Sequence, residues 1–262
     1  MSDRGALSKK LRNAVDGVLC QSLVKRPHTL PSGRYVSICF DDFPKSAAVN
    51  GAPMIEARDW RATWYVSGGL CGTEHGRFGE MFTQADLRRL IRNGHDIGCH
   101  TFNHIDCSDA SRAEIIGERE RNAAFLSSFG VLDVQSFAYP YGAANLDCKR
   151  AMDTEAMALR GGKPGLNRGV TDFNMLKATG LQTDRGGILR ALEDLESLSN
   201  SDGWLILYTH DVQDDASGGG ITPDDLDQVL QAIEASGADV VTVGDMVQRL
   251  TGGKHPTLQW AA

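Results

Sequence analysis

The stretch that decides the fold runs from Tyr35 to Asp42 and reads YVSICFDD. Its first six residues are mostly apolar or β-forming, which is typical of a parallel strand buried on both faces. Two adjacent carboxylates at the end of such a strand are costly unless a cation or hydrogen bonds stabilise them. Asp41 and Asp42 could equally form a turn before Pro44, because Asp is a favoured turn residue. The pair alone therefore leaves both interpretations open.

Further short apolar runs follow along the chain, and amphipathic segments separate them. The predicted strands are Tyr35–Phe40, Ala62–Val66, Asp96–Cys99, Val134–Ala138, Met157–Leu159, Leu205–Thr209 and Val240–Val243. The predicted helices are Ala47–Asp59, Gln84–Asn93, Arg112–Phe129, Ala144–Asp153, Gly187–Asn200, Pro223–Ser236 and Gly244–Leu250. This alternation predicts a parallel sheet with helices outside, either a barrel or an open doubly wound sheet. Seven or eight units favour the barrel.

The 262 residues fit one domain, because α/β barrels reach this length as a single unit. We predict an N-terminal helical extension over residues 1–30 and a barrel domain over residues 31–262. Met1–Lys25 could pack against a second subunit, so the sequence leaves room for an oligomer.

Composition excludes several classes of protein. The net charge of -7 and the lack of a Lys- and Arg-rich run argue against nucleic-acid binding. No stretch of about 18 consecutive apolar residues occurs, so we expect no transmembrane segment. The first residues lack the apolar segment of a signal peptide, and the six cysteines show no CxxC spacing. We therefore expect a cytoplasmic protein with reduced thiols.

Histidines follow two other predicted strands at the point where each strand ends. His100 and His104 follow Asp96–Cys99 within GHDIGCHTFNH, and His210 follows Leu205–Thr209. In a helical turn, the four-residue spacing would put the first two imidazoles on one face, close enough to chelate one ion. A histidine with an ordinary pKa of about 6.5 also suits proton transfer near neutral pH. Taken singly, each of these histidines could instead be structural.

The joint pattern predicts an active site, because the carboxyl ends of barrel strands meet at one face. A fourth strand end carries YPYG at residues 139–142. Two histidines and one carboxylate form a catalytic metal set that leaves a position open for water. The second carboxylate is then free to act as a base and the remaining histidine as an acid. Together these groups make a complete hydrolase.

The motifs FDD, GHDIGCHTFNH, YPYG and YTHD, in this order, resemble those of the NodB-homology polysaccharide deacetylases, carbohydrate esterase family four. The resemblance runs from about Tyr35 to Leu250. It implies a distorted (β/α)7 barrel that holds one divalent transition metal. Zinc is the first expectation, and cobalt and nickel are alternatives, because two imidazoles and a carboxylate accept each of them.

The resemblance also implies roles for the residues at the strand ends. Asp41 resembles the catalytic base that takes a proton from water. Asp42, His100 and His104 resemble the metal ligands. His210 resembles the acid that protonates the leaving amine.

Three further positions are expected to contact the substrate or the base. The resemblance implies that the backbone N–H of Tyr141 helps to hold the oxyanion. Tyr208 stands where the family's final motif usually has Leu, so it should reshape the pocket for the acetyl methyl group. Ala138 stands where the third motif usually has the Arg that positions the base. Arg160 is our candidate substitute, although an Arg in its Gly-rich loop could instead bind substrate or solvent.

These expectations predict the metal-dependent removal of an N-acetyl group from a carbohydrate, with a nucleotide- or lipid-linked precursor of surface polysaccharide as substrate. The same chemistry would also cleave an O-acetyl ester. Two alternatives stay open: a metal-free hydrolase of a cyclic ureide or another non-sugar amide on the same barrel, and a non-catalytic carbohydrate-binding protein. Retention of all three ligands argues against the first. The intact base and acid argue against the second.

Overall fold

The chain alternates between short strands and longer helices. The computed structural model describes residue 23 and residues 25–153, 157–183 and 186–252. Its strands are β1 Pro27–Thr29, β2 Arg34–Asp41, β3 Thr63–Val66, β4 Glu74–His75, β5 Gly79–Glu80, β6 Asp96–Cys99, β7 Ser136–Ala138, β8 Ala158–Arg160, β9 Val170–Asp172, β10 Thr179–Gly180, β11 Gly203–Thr209 and β12 Asp239–Val240. Its α-helices are α1 Ala52–Glu56, α2 Gln84–Arg92, α3 Arg112–Ser127, α4 Leu146–Met152, α5 Gly187–Ser199, α6 Pro223–Ser236 and α7 Val243–Thr251. One π-helical turn, Ala47–Gly51, leads into α1.

The main sheet is a curled array of parallel strands in the order β10-β11-β2-β3-β6-β7-β8. Strand β12 adds a second parallel partner at the beginning of β2. Parallel neighbours need crossover connections, and most of these crossovers contain a helix. Within the described ranges no ladder joins β8 to β10, so the sheet curls without closing completely. The predicted distorted (β/α)7 barrel in a single domain is confirmed.

Side-chain alternation along β2 explains how the sequence places a carboxylate inside the barrel. Val36 and Ile38 pack into the core between the sheet and the helices. Tyr35 and Cys39 pack into a second core on the inner face. Because strand side chains alternate between faces, Asp41 shares the inner face with these two residues. The last residue of β2 therefore carries its carboxylate into the barrel.

The interior of the barrel is packed with large side chains. Trp204 and Tyr65 are fully buried there. The indole N–H of Trp204 donates to the hydroxyl of Ser37 at 2.9 Å, and that hydroxyl donates to the carbonyl of Val241 at 2.7 Å. These buried polar groups are satisfied within the protein, as buried groups must be. The interior is thus a packed core rather than a channel.

Two of the predicted elements overlap an element of another type in the structure. The predicted strand Val240–Val243 ends at Val240, because the side chain of Thr242 accepts a hydrogen bond from the N–H of Asp245 and begins α7. At the end of the predicted N-terminal helix, Pro27–Thr29 form β1, which pairs antiparallel with β9. Residues 1–22 and 24, which carry most of that predicted helix, lie outside the described residues.

Two composition-based expectations concern membranes and disulfides. Among the described residues, no helix combines the length and the apolar character needed to span a bilayer. The cysteines that the structure describes are free thiols: Cys39, Cys71, Cys99, Cys107 and Cys148.

Candidate metal centre and active site

A cavity of about 270 Å³ opens where the carboxyl ends of the strands meet. All eight predicted site residues line it, namely Asp41, Asp42, His100, His104, Tyr141, Arg160, Tyr208 and His210. These residues come from five different strand ends. The structure therefore brings the whole predicted set together, while their chemical roles stay predictions.

Asp42, His100 and His104 present three ligand atoms to one point. Their candidate ligand atoms all lie within 4.8 Å of one another. The Oδ1 atom of Asp42 lies 3.7 Å from Nε2 of His100 and 3.4 Å from Nε2 of His104. Two ligands of a tetrahedral zinc ion, each about 2.0–2.1 Å from it, would lie about 3.3 Å apart. The three side chains therefore fit one divalent ion after small adjustments.

The orientation of His100 is fixed by a hydrogen bond on the far side of its ring. Its Nδ1–H donates to the carbonyl oxygen of Ala138 at 2.7 Å, which leaves the Nε2 lone pair directed at Asp42. Histidine metal ligands usually have such a partner, which sets the tautomer and the ring plane. Burial lowers the pKa of His100 to about 3 and that of His104 to about 4. Both rings are consequently neutral and able to bind a metal at neutral pH.

The electrostatics of Asp42 also favour a cation. Burial, followed by the neighbouring charge of Asp41, raises the pKa of Asp42 to about 8. Its Oδ1 is buried and has no hydrogen-bond partner in the described part of the protein. A bound cation would provide the charge and the partner that this oxygen lacks.

The loop that carries the two candidate histidine ligands is not the helical turn that the spacing predicted. Thr101 and His104 have φ values of +61° and +53°, which lie in the left-handed region. Glu118 on α3 holds the loop, because its carboxylate accepts the backbone N–H of Asn103 at 2.6 Å and the side-chain amide at 2.7 Å. The two histidines do approach the same point, as predicted. A loop held by Glu118 brings them together, however, so the predicted helical turn is wrong.

Asp41 is held by a buried guanidinium. Nη2 of Arg160 lies 2.5 Å from both carboxylate oxygens of Asp41. The guanidinium also lies over the rings of Tyr65 and Tyr208, at 4.9 and 4.7 Å from their centroids. Burial would raise the pKa of Asp41, but the charge of Arg160 and its hydrogen bonds outweigh burial and lower it. Asp41 is therefore ionised at neutral pH.

The register of the sheet shows how Arg160 reaches this position. Ala138 on β7 and Arg160 on β8 are direct partners in the parallel ladder. Ala138, which stands where the family's third motif usually has Arg, therefore lies beside Arg160 at the same level of the neighbouring strand. Arg160 supplies from β8 the cation that β7 lacks.

His210 is oriented by the loop that follows β11. Its Nδ1–H donates to the carbonyl oxygen of Gly219 at 2.9 Å, so Nε2 is left for the cavity. Asp211 shapes that loop by accepting the N–H and the hydroxyl of Ser217 at 2.7 and 2.6 Å. The ring of Phe78 stacks on His210 with the centroids 5.1 Å apart. Burial lowers the pKa of His210 below its ordinary value.

Tyr141 occupies a turn that exposes its backbone N–H. The turn is closed by hydrogen bonds from Gly142 to Tyr139 and from Ala143 to Pro140, which leave the N–H of Tyr141 free of acceptors in the described residues. Its φ is +59°, and its ring meets His104 edge-on at 4.6 Å.

Left-handed backbone is concentrated around this cavity. Five of the six described non-glycine residues with positive φ belong to the strand-end segments of the site: Asp42, Phe43, Thr101, His104 and Tyr141. Strained backbone of this kind persists where the surrounding structure holds it and tends to cluster at functional sites.

One wall of the cavity was not predicted from the sequence. His75, Arg77 and Phe78 line it from the hairpin formed by β4 and β5. Each strand of this hairpin has only two residues, so no alternation of apolar and polar residues marks it. The only local signal is a pair of glycines, Gly76 in the turn and Gly79 at the start of β5.

Comparison with known proteins agrees with this geometry. Residues 29–157, about half of the chain, match the family model described as polysaccharide deacetylase. A bifunctional xylanase/deacetylase of Pseudobutyrivibrio xylanivorans is 19% identical over 227 residues, which cover 87% of this chain and 32% of that protein. The chain thus spans about a third of the length of this relative.

Solved structures share the fold at low sequence identity. The chitin deacetylase of Colletotrichum lindemuthianum has a TM-score of 0.62 and 16% identity, over 83% of this chain and 89% of that one. A family 4 acetyl xylan esterase from Clostridium thermocellum, in complex with a cobalt ion, has a TM-score of 0.60 and 19% identity, over 84% and 93% of the two chains. The family match covers both carboxylates and both histidines of the strand-end motifs, and the fold extends over nearly all the described residues. By sequence match and fold, the chain belongs to the polysaccharide deacetylase family.

Proposed function

We propose that the protein is a metal-dependent deacetylase that removes the N-acetyl group of a sugar by hydrolysis. One observation carries the proposal. A three-residue ligand set, an arginine-paired carboxylate and an imidazole with a free Nε2 line the same cavity. These are the groups that the hydrolysis of an amide needs.

Asp42, His100 and His104 would hold the metal ion. Zinc is our first expectation, and cobalt or nickel fit the same donor set. The chemistry that such an ion supplies is the polarisation of a carbonyl oxygen and the acidification of water. The cobalt ion in the acetyl xylan esterase structure supports a transition metal in this fold.

Asp41 would act as the general base. Its low pKa keeps the carboxylate ready to accept a proton from the attacking water. Arg160 holds that carboxylate in one orientation through contacts to both oxygens. Arg160 is therefore a positioning residue that acts through Asp41.

Tyr141 would act on the carbonyl oxygen of the amide, and His210 would act on its nitrogen. The free N–H of Tyr141 would stabilise the negative charge that develops on the carbonyl oxygen. Once its ring is protonated, His210 would pass the Nε2 proton to the leaving nitrogen, so that an amine and acetate are released. The hydrogen bond from Nδ1 of His210 to Gly219 fixes the ring for this transfer.

The removal of an O-acetyl group is the second candidate, because one structure with this fold is an acetyl xylan esterase. The same base and ligand set would cleave an ester. We place the amide first because the chitin deacetylase shares the fold and because His210, when protonated, would supply the acid that an amine leaving group needs.

The experiment measures acetate release from chitooligosaccharides, N-acetylglucosaminides, UDP-N-acetylglucosamine and acetylated xylan after zinc or cobalt is added. Asp41→Asn, which removes the base but keeps the side-chain shape, should lower the rate by about 10²–10⁴-fold. Asp239→Asn, a change to an exposed carboxylate at the beginning of β12, should leave the rate unchanged. Preferred release from xylan would establish the esterase instead. No release from any of these substrates by the metal-loaded protein would contradict both candidates.

A further inference from the structure

A second and larger cavity adjoins the catalytic one. Its volume is about 610 Å³, and Gly142 and Gly162 line both cavities. A Cβ atom added to Gly142 would lie 2.9 Å from the backbone nitrogen of Gly162. The ridge between the two cavities is therefore bare backbone in close contact. The hydroxyl of Tyr208 lies 3.5 Å from the position that a Cβ atom of Gly162 would take, so a substrate that crosses the ridge meets backbone and this hydroxyl.

Three lysines surround this second cavity. Lys25, Lys163 and Lys177 line it, and all three are exposed. None of them forms an ion pair within the described part of the chain, whereas Lys45 pairs with Glu80 at 2.5 Å. Three ammonium groups without carboxylate partners make this cavity locally positive, although the whole chain carries a net charge of -7.

The carboxylate among the lining residues does not offset these charges. Asp172 is 3.0 Å from Nζ of the buried Lys149 and accepts the backbone N–H groups of Arg26 at 2.8 Å and Asn174 at 3.0 Å. Its charge is thus balanced by another lysine and by backbone donors. The three exposed lysines remain available to an anion from solution.

We infer that the lysine-lined cavity binds the phosphate or diphosphate of a phosphorylated N-acetyl sugar while its acetamido group enters the catalytic cavity. This inference rests on the proposed function and names its substrate class. In a 2-acetamido sugar 1-phosphate the two groups stand on adjacent carbons, so adjoining cavities suit them. Lysine binds phosphate as a mobile point charge, and three lysines can follow a diphosphate. A nucleotide-linked sugar and a lipid-linked sugar present the same group.

The first test compares phosphorylated with neutral substrates. The triple variant Lys25→Gln/Lys163→Gln/Lys177→Gln should lower kcat/KM for UDP-N-acetylglucosamine by about 100-fold, which corresponds to roughly fivefold for each charged contact. It should leave kcat/KM for methyl N-acetylglucosaminide unchanged. The control variant Arg34→Gln/Arg92→Gln/Arg249→Gln removes the same amount of positive charge near the amino ends of β2, β6 and β12. It should leave kcat/KM unchanged for both substrates. Equal kcat/KM for both substrates, unaffected by the lysine changes, would overturn the inference and leave the deacetylase intact.

The second test measures binding without catalysis. In the His104→Ala background, calorimetry should show that UDP-N-acetylglucosamine binds and that the three lysine changes weaken its binding by about 100-fold. This result would support the cavity assignment even if no acetate were released from any sugar. Competition by uridine monophosphate would identify a nucleotide carrier. Competition by geranyl phosphate alone would identify a lipid carrier, and competition by neither would overturn the inference.

Discussion

At the scale of single residues, the proposed chemistry depends on the pair formed by Asp41 and Arg160. Both side chains are almost fully buried, and burial alone would favour a neutral carboxyl. The guanidinium reverses that preference and keeps the carboxylate ionised at neutral pH. The state of the proposed base therefore depends on one arginine.

Replacing Arg160 with Gln should lower the free energy of unfolding by about 3–5 kcal/mol, because it leaves a buried carboxylate unpaired. The pKa of Asp41 should then rise, so the acid limb of the kcat/KM profile should move to higher pH. Denaturant unfolding and pH-dependent acetate release measure the two effects. Arg160→Lys, which keeps the charge, should restore much of both. An unchanged acid limb in Arg160→Gln would contradict the positioning role.

The sequence identified both residues of this pair, but it did not predict how their strands align. Ala138 marks the missing guanidinium, and Arg160 was the candidate substitute because it follows the next predicted strand. That the two are register partners depends on strand pairing, which a single sequence does not contain. The orienting acceptors of His100 and His210 are backbone carbonyls, which no side-chain pattern reveals.

At the scale of elements, Glu56 joins three elements on the outside of the barrel. It ends α1, and its Oε1 lies 3.3 Å from Nη1 of Arg89 on α2. The same oxygen accepts the amide of Asn93 at 3.1 Å and lies 3.0 Å from Nε2 of His95, just before β6. Burial raises the pKa of Glu56, but the hydrogen bonds from Asn93 and His95 outweigh it and lower the pKa overall.

Glu56→Gln should therefore destabilise the protein in a pH-dependent way. A carboxyl whose pKa is lowered by folding contributes stability above its unfolded pKa of about 4.3, and this stability is lost as pH falls through the folded value. We expect a loss of about 1–2 kcal/mol at pH 7 and a smaller loss at pH 3. Urea unfolding at both pH values measures the difference. Glu193→Gln, on the exposed face of α5, is the control, and a pH-independent loss in Glu56→Gln would contradict the account.

Most elements could be predicted because their signals are local. The predicted strand Leu205–Thr209 is a short and mostly apolar run within β11. The helix Pro223–Ser236 begins after Thr222, whose side chain caps it, and a Thr followed by Pro is a start signal that can be read in the sequence. The hairpin of β4 and β5 was not predicted because two-residue strands are too short to show an alternation of apolar and polar residues. The conformation of residues 100–104 was predicted wrongly because two histidines four residues apart can face one ion either from a helix or from a loop that other residues hold in place.

At the scale of the whole molecule, the barrel gathers distant strand ends into one face with two joined cavities. The candidate ligands come from the end of β2 and the loop after β6, the arginine from β8, and the proposed acid from the end of β11. The sequence predicted this assembly because parallel strands align their carboxyl ends. The lysine-lined cavity could not be predicted, since Lys25, Lys163 and Lys177 lie in separate loops without a shared motif.

The measurement that tests the central claim most directly is the zinc content per chain after incubation with zinc and dialysis. Wild-type protein should retain about one ion per chain, and His104→Ala should lose nearly all of it, because three protein ligands define such a site. His75→Ala, a change to a histidine that lines the cavity outside the ligand set, should retain the ion. A wild-type chain that retains neither zinc nor, after the same treatment, cobalt or nickel would contradict the proposed metal centre, as would a His104→Ala chain that retains as much metal as wild type.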